Sequence, residues 1–331
     1  MQAIIFKSVG QASVEEVPDP VPGLNDVIIK VAVAGVCHTD IDILNGRYLA
    51  SYPVIPGHEV AGTVIAKGYA VSTFDVGARV VIDPLIACGH CLACQADRPN
   101  LCETLQAYGA TTNGGFASYL RVNVCNLHPI GDLPFHLAAL AEPLACVLHG
   151  VGRLGQVTGA RALVFGAGPI GLMMMLALTD HGVAHTTMVD LDEGRLDQAL
   201  RLGAQSVFTS KQLSDHLKND FDIVVDCTGV PDICEAMPSY ARNGASLLFF
   251  GVCPPGIKVG FSPNEIFRRE LKLIGSHSLA NNIPEALELL MKLGTKAAAL
   301  ISHQLALEEI VEQLSSSVKK KSMKIQFVVD I

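Results

Sequence analysis

Four cysteines crowd into one short stretch, Cys88-Gly-His-Cys91-Leu-Ala-Cys94, followed by seven residues and Cys102. Four thiolates at this C-x2-C-x2-C-x7-C spacing can close a tetrahedron around Zn2+ and leave no position for water. Such a site stabilises a loop and does no chemistry. The other readings are buried free cysteines and an iron–sulfur cluster, whose common spacings differ. His90 lies inside the loop as a bystander.

A second motif, Gly166-Ala-Gly168-Pro169-Ile170-Gly171, has the glycine pattern that lets backbone approach a pyrophosphate. Alone it is a weak signal. Here a strand, Arg161–Phe165, precedes it and a helix, Ile170–Asp180, follows, so phosphate charge would meet a helix N-terminus. Asp190 ends the next strand. That acid should accept the adenosine ribose hydroxyls and repel a 2′-phosphate, which favours NAD(H) over NADP(H). Arg195 could cap the ribose or hold a phosphate instead.

Three more pieces carry metal-type donors: Cys37-His38-Thr39-Asp40, Gly57-His58-Glu59 and Ala141-Glu142-Pro143-Leu144. Spacing alone does not join them. Together they offer a thiolate, an imidazole and carboxylates, enough for a catalytic zinc that keeps one position open.

The elements that must position these groups change character along the chain. Its 331 residues suggest two domains. The first third is β-rich, with β-branched runs such as Val27–Val33, Val60–Ala66 and Arg79–Ile82 between turn residues. From Arg161 onward strands and helices alternate, which argues a parallel, doubly wound sheet. Ala162–Leu178 is apolar throughout, but Gly166, Gly168, Pro169 and Gly171 make it a strand, turn and helix rather than a membrane span. The last elements predicted are a helix, Ile283–Leu293, and a strand, Lys324–Val329. Lys319, Lys320, Lys321 and Lys324 read as a solvated turn before that strand.

The net charge is −8, with no basic stripe, so nucleic acid is excluded as a partner. Ten cysteines without an export signal point to a reducing, cytoplasmic setting, where clustered cysteines bind metal more often than they form disulfides. Cys125, Cys146, Cys227, Cys234 and Cys253 read as buried small apolar residues, and Met173–Met175 as core. Phe116 and Tyr119 could line a substrate cleft, or Gly114-Gly115 could be a plain turn into a strand.

Taken in order, the turn at Cys37, Pro56-Gly-His-Glu-Val-Ala-Gly62, the cysteine lobe, Gly114-Gly-Phe-Ala117, Glu142-Pro-Leu and the glycine fingerprint resemble the zinc-dependent medium-chain dehydrogenase/reductase superfamily, in its sorbitol and polyol dehydrogenase-like branch. The resemblance covers essentially the whole chain. It implies an α/β architecture with a Rossmann NAD-binding domain over 146–278. A β-rich GroES-like catalytic domain would comprise 1–145 and 279–331, with a structural-zinc lobe at about 84–104, and the active site would lie at the junction. Two zinc ions per chain follow, one catalytic and one structural.

The resemblance also assigns roles. Cys37 and His58 match zinc ligands, and Glu142 matches a carboxylate that binds zinc directly or through water. Glu59 matches an alternative ligand, Asp40 orients His58, and Thr39 takes the proton of the alcohol. Gly251 and Val252 border the nicotinamide. The activity implied is hydride transfer between NAD(H) and a secondary alcohol, most naturally a polyol or sugar alcohol, by a homodimer or homotetramer with no membrane partner. Some features depart from the pattern. Asp42 stands where many relatives end the proton relay with histidine, and His38 where some have an arginine. The segment Gly275-Ser-His277 lacks the arginine–tyrosine pair of sorbitol dehydrogenases; His277 could touch substrate or nicotinamide, or line the pocket wall. The rivals are an NADP-dependent sugar or simple secondary-alcohol dehydrogenase, a zinc-free reductase of activated double bonds, and a non-catalytic nucleotide-binding or structural protein.

Overall fold

The computed structural model describes residues 1–213, 217–315 and 322–329. The chain divides into two units, Met1–Ala145 with Ala280–Ile331, and Cys146–Leu279.

The first unit opens with an antiparallel hairpin, β1 (Gln2–Ser8) and β2 (Gln11–Glu16). In β3 (Asp26–Gly35), alternate residues Val27, Ile29 and Val31 are fully buried, as period-two patterning requires. Cys37 caps the start of α1 (His38–Leu44). β4 (Glu59–Lys67) and β5 (Arg79–Ile82) extend the sheet antiparallel. The short pair β6 (Leu85–Ile86) and β7 (Gln106–Ala107) closes the base of the cysteine loop, which holds α2 (Leu92–Gln95). β8 (Tyr119–Asn123) pairs with β3, and β9 (Leu127–Pro129) with β5. α3 (Phe135–Ala138) and α4 (Ala141–Leu154) lead into the second unit.

There β10 (Arg161–Phe165), α5 (Pro169–Asp180), β11 (His185–Asp190), α6 (Glu193–Leu202), β12 (Ser206–Thr209), β13 (Phe221–Asp226), α7 (Pro231–Tyr240), β14 (Ala241–Phe249), α8 (Pro263–Arg269) and β15 (Lys272–Gly275) succeed one another. All six strands are parallel, in the order β12-β11-β10-β13-β14-β15. That is the Rossmann order, with its switch point beside β10, where a nucleotide turn belongs. α5 is apolar on every side and buried from Gly171 to Leu178, which makes Met173–Met175 core residues. Its neighbour α6 stops at Gly203, whose φ of 118° is the left-handed cap that glycine favours.

The chain then returns to the first unit through α9 (Ile283–Leu293), α10 (Thr295–Ala298), β16 (Ile301–Leu305), α11 (Leu307–Ser315) and β17 (Lys324–Val328). β17 pairs parallel with β16 and antiparallel with β3, so its sheet runs β16-β17-β3-β4-β5-β9, with β8 also on β3. The sequence predicts only α9 and β17 here. Leu307, Ile310 and Leu314 of α11 do recur at helical spacing, and all three are buried.

Three expectations are corrected. Lys324 is not solvated: it is 5% exposed, because β17 lies between two strands and one of its faces is covered. Lys319–Lys321 lie outside the described residues. Cys125 is exposed, in a turn after β8, while Cys146, Cys227 and Cys253 are half-buried and only Cys234 of this group is buried. Phe116 is core rather than cleft wall: it is fully buried and meets Phe327 edge-on at 6.5 Å.

Candidate metal and cofactor centres

In the cysteine loop the sulfurs of Cys88, Cys91, Cys94 and Cys102 all lie within 4.8 Å of one another. Cys91 and Cys94 are 3.5 Å apart, and Cys88 and Cys94 3.9 Å. Backbone N–H groups aim at these sulfurs: Cys88 N donates to Cys102 at 3.2 Å, and Cys91 N to Cys88 at 3.3 Å. The Cys88 N–H is the main reason that the Cys102 thiol is lowered to about 6. Burial, reinforced by Cys91, pushes the Cys94 thiol the other way. His90 points elsewhere, with Nδ1 2.8 Å from the Cys88 carbonyl.

The second cluster is assembled from distant pieces by one buried acid. Asp40, on the first turn of α1, accepts the Cys37 N–H at 2.8 Å and the Gly57 N–H at 3.2 Å. Its Oδ1 also lies 3.6 Å from His58 Nδ1. Gly57 holds a φ of 91°, and a Cβ there would come within 2.9 Å of the Phe116 ring, so the turn that presents His58 needs glycine. The donor atoms of Cys37, His58 and Glu59 thereby fall within 4.8 Å of one another. Thr39 Oγ1 is 3.5 Å from the Cys37 sulfur. Burial pulls the His58 imidazole down, but the Asp40 and Cys37 charges outweigh it and hold the ring well above its ordinary value. Anions that favour an imidazolium there would equally favour a divalent cation.

Glu142 is buried on the first turn of α4 but is not among the three clustered donors. Lys324 is the residue that sequence reasoning missed. Its ammonium forms a buried ion pair with Glu59 Oε1. Burial alone would lower Lys324, yet Glu59, Cys37 and Glu142 together raise it, so it stays charged. Asp42 accepts from Arg47 Nε at 2.9 Å and lies 3.6 Å from His38 Nε2.

In the second unit, Gly166 leaves β10 with a φ of 97° and Gly168 caps α5, with Pro169 opening the helix and Ile170 next. A Cβ on Gly171 would lie 1.8 Å from the Gly166 carbonyl oxygen, so helix and turn pack at backbone distance. Asp190 braces this turn: Oδ2 accepts the Ala167 N–H at 2.7 Å and Oδ1 the Asp192 N–H at 2.9 Å. Arg195 Nη1 is 4.0 Å from Asp190 Oδ2. A further acid, Asp226, was not singled out by the sequence. It is fully buried and accepts from Thr228 N at 2.8 Å, Thr228 Oγ1 at 2.6 Å and Gly229 N at 3.0 Å. Its own carbonyl accepts the Gly251 N–H at 2.8 Å, which fixes the loop carrying Gly251 and the exposed Val252. The only hint in the sequence is its place at the end of a strand, before Cys-Thr-Gly. His277 is exposed.

Two family descriptions match this chain, an alcohol dehydrogenase GroES-like domain over residues 23–132 and a zinc-binding dehydrogenase over residues 169–292. D-altritol 5-dehydrogenase of Agrobacterium fabrum is 45% identical over 100% of both chains. D-arabinitol dehydrogenase 1 of Uromyces fabae is 32% identical over 98% of this chain and 96% of its own. The chain belongs to the zinc-dependent medium-chain dehydrogenase/reductase superfamily, in its polyol dehydrogenase branch. A crystal structure of a fellow family member, a zinc-binding dehydrogenase of Sinorhizobium meliloti bound to NADP, superposes with a TM-score of 0.95, at 32% identity and covering 99% of each chain.

For this medium-chain dehydrogenase the donor sets suit zinc. A tetrahedron with Zn–S bonds of about 2.3 Å has edges of about 3.8 Å, and the cysteine sulfurs stand at 3.5 and 3.9 Å. In the other cluster one thiolate, one imidazole and one carboxylate converge, and Glu59 Oε2 is a buried oxygen with no hydrogen-bond partner. Buried acceptors are rarely left unpaired, so the donor set has capacity to spare for a cation.

Proposed function

We propose that this chain is a zinc- and NAD-dependent oxidoreductase that moves hydride between the nicotinamide and a secondary hydroxyl carbon of a polyol or sugar alcohol. The observation that carries the reading is the cluster of Cys37, His58 and Glu59, with the Thr39 hydroxyl 3.5 Å from the Cys37 sulfur. Cys37 and His58 would hold the catalytic metal with Glu142, directly or through water, and Glu59 is the further carboxylate within reach. Cys88, Cys91, Cys94 and Cys102 would hold the structural one. When bound, zinc supplies a Lewis acid that makes a substrate hydroxyl more acidic, and NAD supplies the hydride acceptor. Thr39 is the hydroxyl that takes the substrate proton. Asp40 fixes the tautomer and ring direction of His58 while holding the Cys37 backbone.

The polyol reading draws support from the names of the altritol and arabinitol enzymes. The NAD preference is supported by Asp190, whose fixed carboxylate would repel a 2′-phosphate. NADP is the second reading. It is favoured by Arg195 beside Asp190 and by the NADP in the Sinorhizobium structure. A homodimer or homotetramer belongs to the proposal; its support is the outer edge of β15, where Leu273 is exposed, with Phe267 exposed on the preceding α8.

A panel of sugar alcohols, diols and simple secondary alcohols against both nucleotides, with a zinc count on the same sample, tests the reading. Turnover of simple alcohols alone would sink the polyol assignment, and a single zinc per chain would sink the two-metal assignment. Thr39→Val should keep zinc and nucleotide binding and lose turnover by roughly 10²–10⁴-fold, the usual worth of a positioned proton acceptor. Unchanged turnover would remove Thr39 from the proton path.

A further inference from the structure

Gln326 of β17 lies directly opposite Gly35 of β3, and Gly35 lies opposite Glu59 of β4. The three positions form one row across the sheet, and its middle position has no side chain. Glu59 fills that gap. A Cβ on Gly35 would stand 1.9 Å from Glu59 Oε2, so any other residue would block the carboxylate where it now lies. Gly35 has no left-handed backbone to justify glycine, since its φ is not positive. Room for the Glu59 carboxylate is what requires glycine here. Through this gap Glu59 meets Lys324, two residues before Gln326 and on the same face of β17.

The pair is costly as a pure stabiliser. Both groups are removed from water, and replacing a buried ion pair by apolar residues of similar volume is often neutral or stabilising. It also leaves Glu59 with one oxygen engaged and the other without a partner. The same Glu59 stands in the donor cluster with Cys37 and His58. The Lys324 ammonium is therefore built in beside a donor cluster whose anions would otherwise all be offered to the metal.

We infer that Lys324 is a positioning residue that holds Glu59 in reserve, off the catalytic metal, along the path that Gly35 opens. The inference rests on reading the Cys37, His58 and Glu59 cluster as a metal centre. Lys324 lowers the affinity of that centre in two ways: it occupies a carboxylate that could be a ligand, and it adds a positive charge nearby. In return it leaves one coordination position for the substrate oxygen.

The test uses the full chain loaded with Zn2+ or Co2+, with affinity read by chelator competition and coordination by the visible spectrum of the Co2+ form. Lys324→Met should hold the metal of this centre roughly 10–100-fold more tightly, the range typical of changes just outside a ligand set. Its Co2+ bands should weaken and shift as an added carboxylate raises the coordination number. Lys324→Arg keeps the charge and should return both readouts to wild type. Unchanged or weaker affinity in Lys324→Met, with wild-type bands, overturns the inference while leaving the metal centre standing. Glu59→Gln supplies an independent arm should Lys324→Met not fold. A carboxylate held in reserve contributes no ligand, so the Glu59→Gln spectrum should match wild type; a changed spectrum shows Glu59 on the metal at rest and overturns the inference. A wild-type chain that loads only its four-cysteine lobe, recognisable by intense thiolate charge-transfer bands, removes the metal reading and this inference with it.

Discussion

The two donor clusters of the first unit are built on opposite plans. The cysteine lobe takes all four donors from one stretch, Cys88 to Cys102, and its sulfurs meet backbone N–H groups. The other cluster draws Cys37 from the start of α1 and His58 and Glu59 from the entry to β4, with Lys324 arriving from β17. Five acidic or basic side chains are buried among the described residues: Asp40, Glu59, Glu142, Asp226 and Lys324. Asp40, Glu59 and Lys324 are linked at the second cluster, and Glu142 acts on Lys324 there. The lobe has none. Buried charge costs stability and persists where chemistry requires it. The contrast therefore supports the proposed division between a scaffold and a reacting centre before any substrate is considered.

The sharpest way to break that division is to remove one cysteine from each cluster. Cys37→Ala should lower turnover by more than roughly 10²–10³-fold, since even one preorganised charge-stabilising group is worth that much. Its melting temperature should move little, and the lobe should keep its metal. Cys94→Ser should do the reverse. Metal binding at a closed site is folding free energy, so a loss of about 2 kcal/mol or more is expected, a fall in Tm of roughly 4–8 °C. Turnover per folded molecule should survive. The lobe is also tied to the rest of its unit by Asn281 Nδ2, which donates to Asp97 Oδ1 at 3.0 Å, so its melting should register in the whole-unit transition. Cys94→Ser with full stability and no turnover would erase the distinction.

The same contrast explains what could be read from the sequence. The lobe is legible because its donors are neighbours, and the fingerprint because its glycines, strand and helix are contiguous. Cys37, His58 and Glu59 are not joined by spacing; family resemblance brought them together, and Asp40 is the physical link, bonded to both pieces at once. Lys324 was legible only as one more lysine beside Lys319–Lys321. Its burial follows from β17 entering the sheet between β16 and β3, a non-local pairing that no local pattern records. Phe116 misled for the same reason, because the Phe327 that covers it lies on that strand. Asp226 was missed because an acid at a strand end is ordinary until its four acceptor contacts, to Thr228, Gly229 and Cys234, are seen.

The smallest effect expected concerns the one acid at the foot of the lobe, where β5 runs into it. Burial pushes the Asp83 carboxyl from 3.8 up to about 6, although the Leu85 N–H, donating to Oδ1 at 2.9 Å, works against that. A carboxyl raised in the folded chain holds its proton more tightly there than in the unfolded chain. Its ionisation therefore costs nothing below its ordinary value of 3.8, and the cost grows as pH rises from there to about 6, above which it is constant. Asp83→Asn keeps an oxygen for Leu85 and removes the charge. The variant should gain on wild type between about pH 4 and about pH 6, levelling above that at roughly 1–2 kcal/mol once partial solvent screening is allowed for. Thermal melts at several pH values check this. A gain independent of pH would mean that the effect is packing, not ionisation. Loss of the lobe's metal in the variant would blur the comparison, by showing that the scaffold too depends on a buried charge.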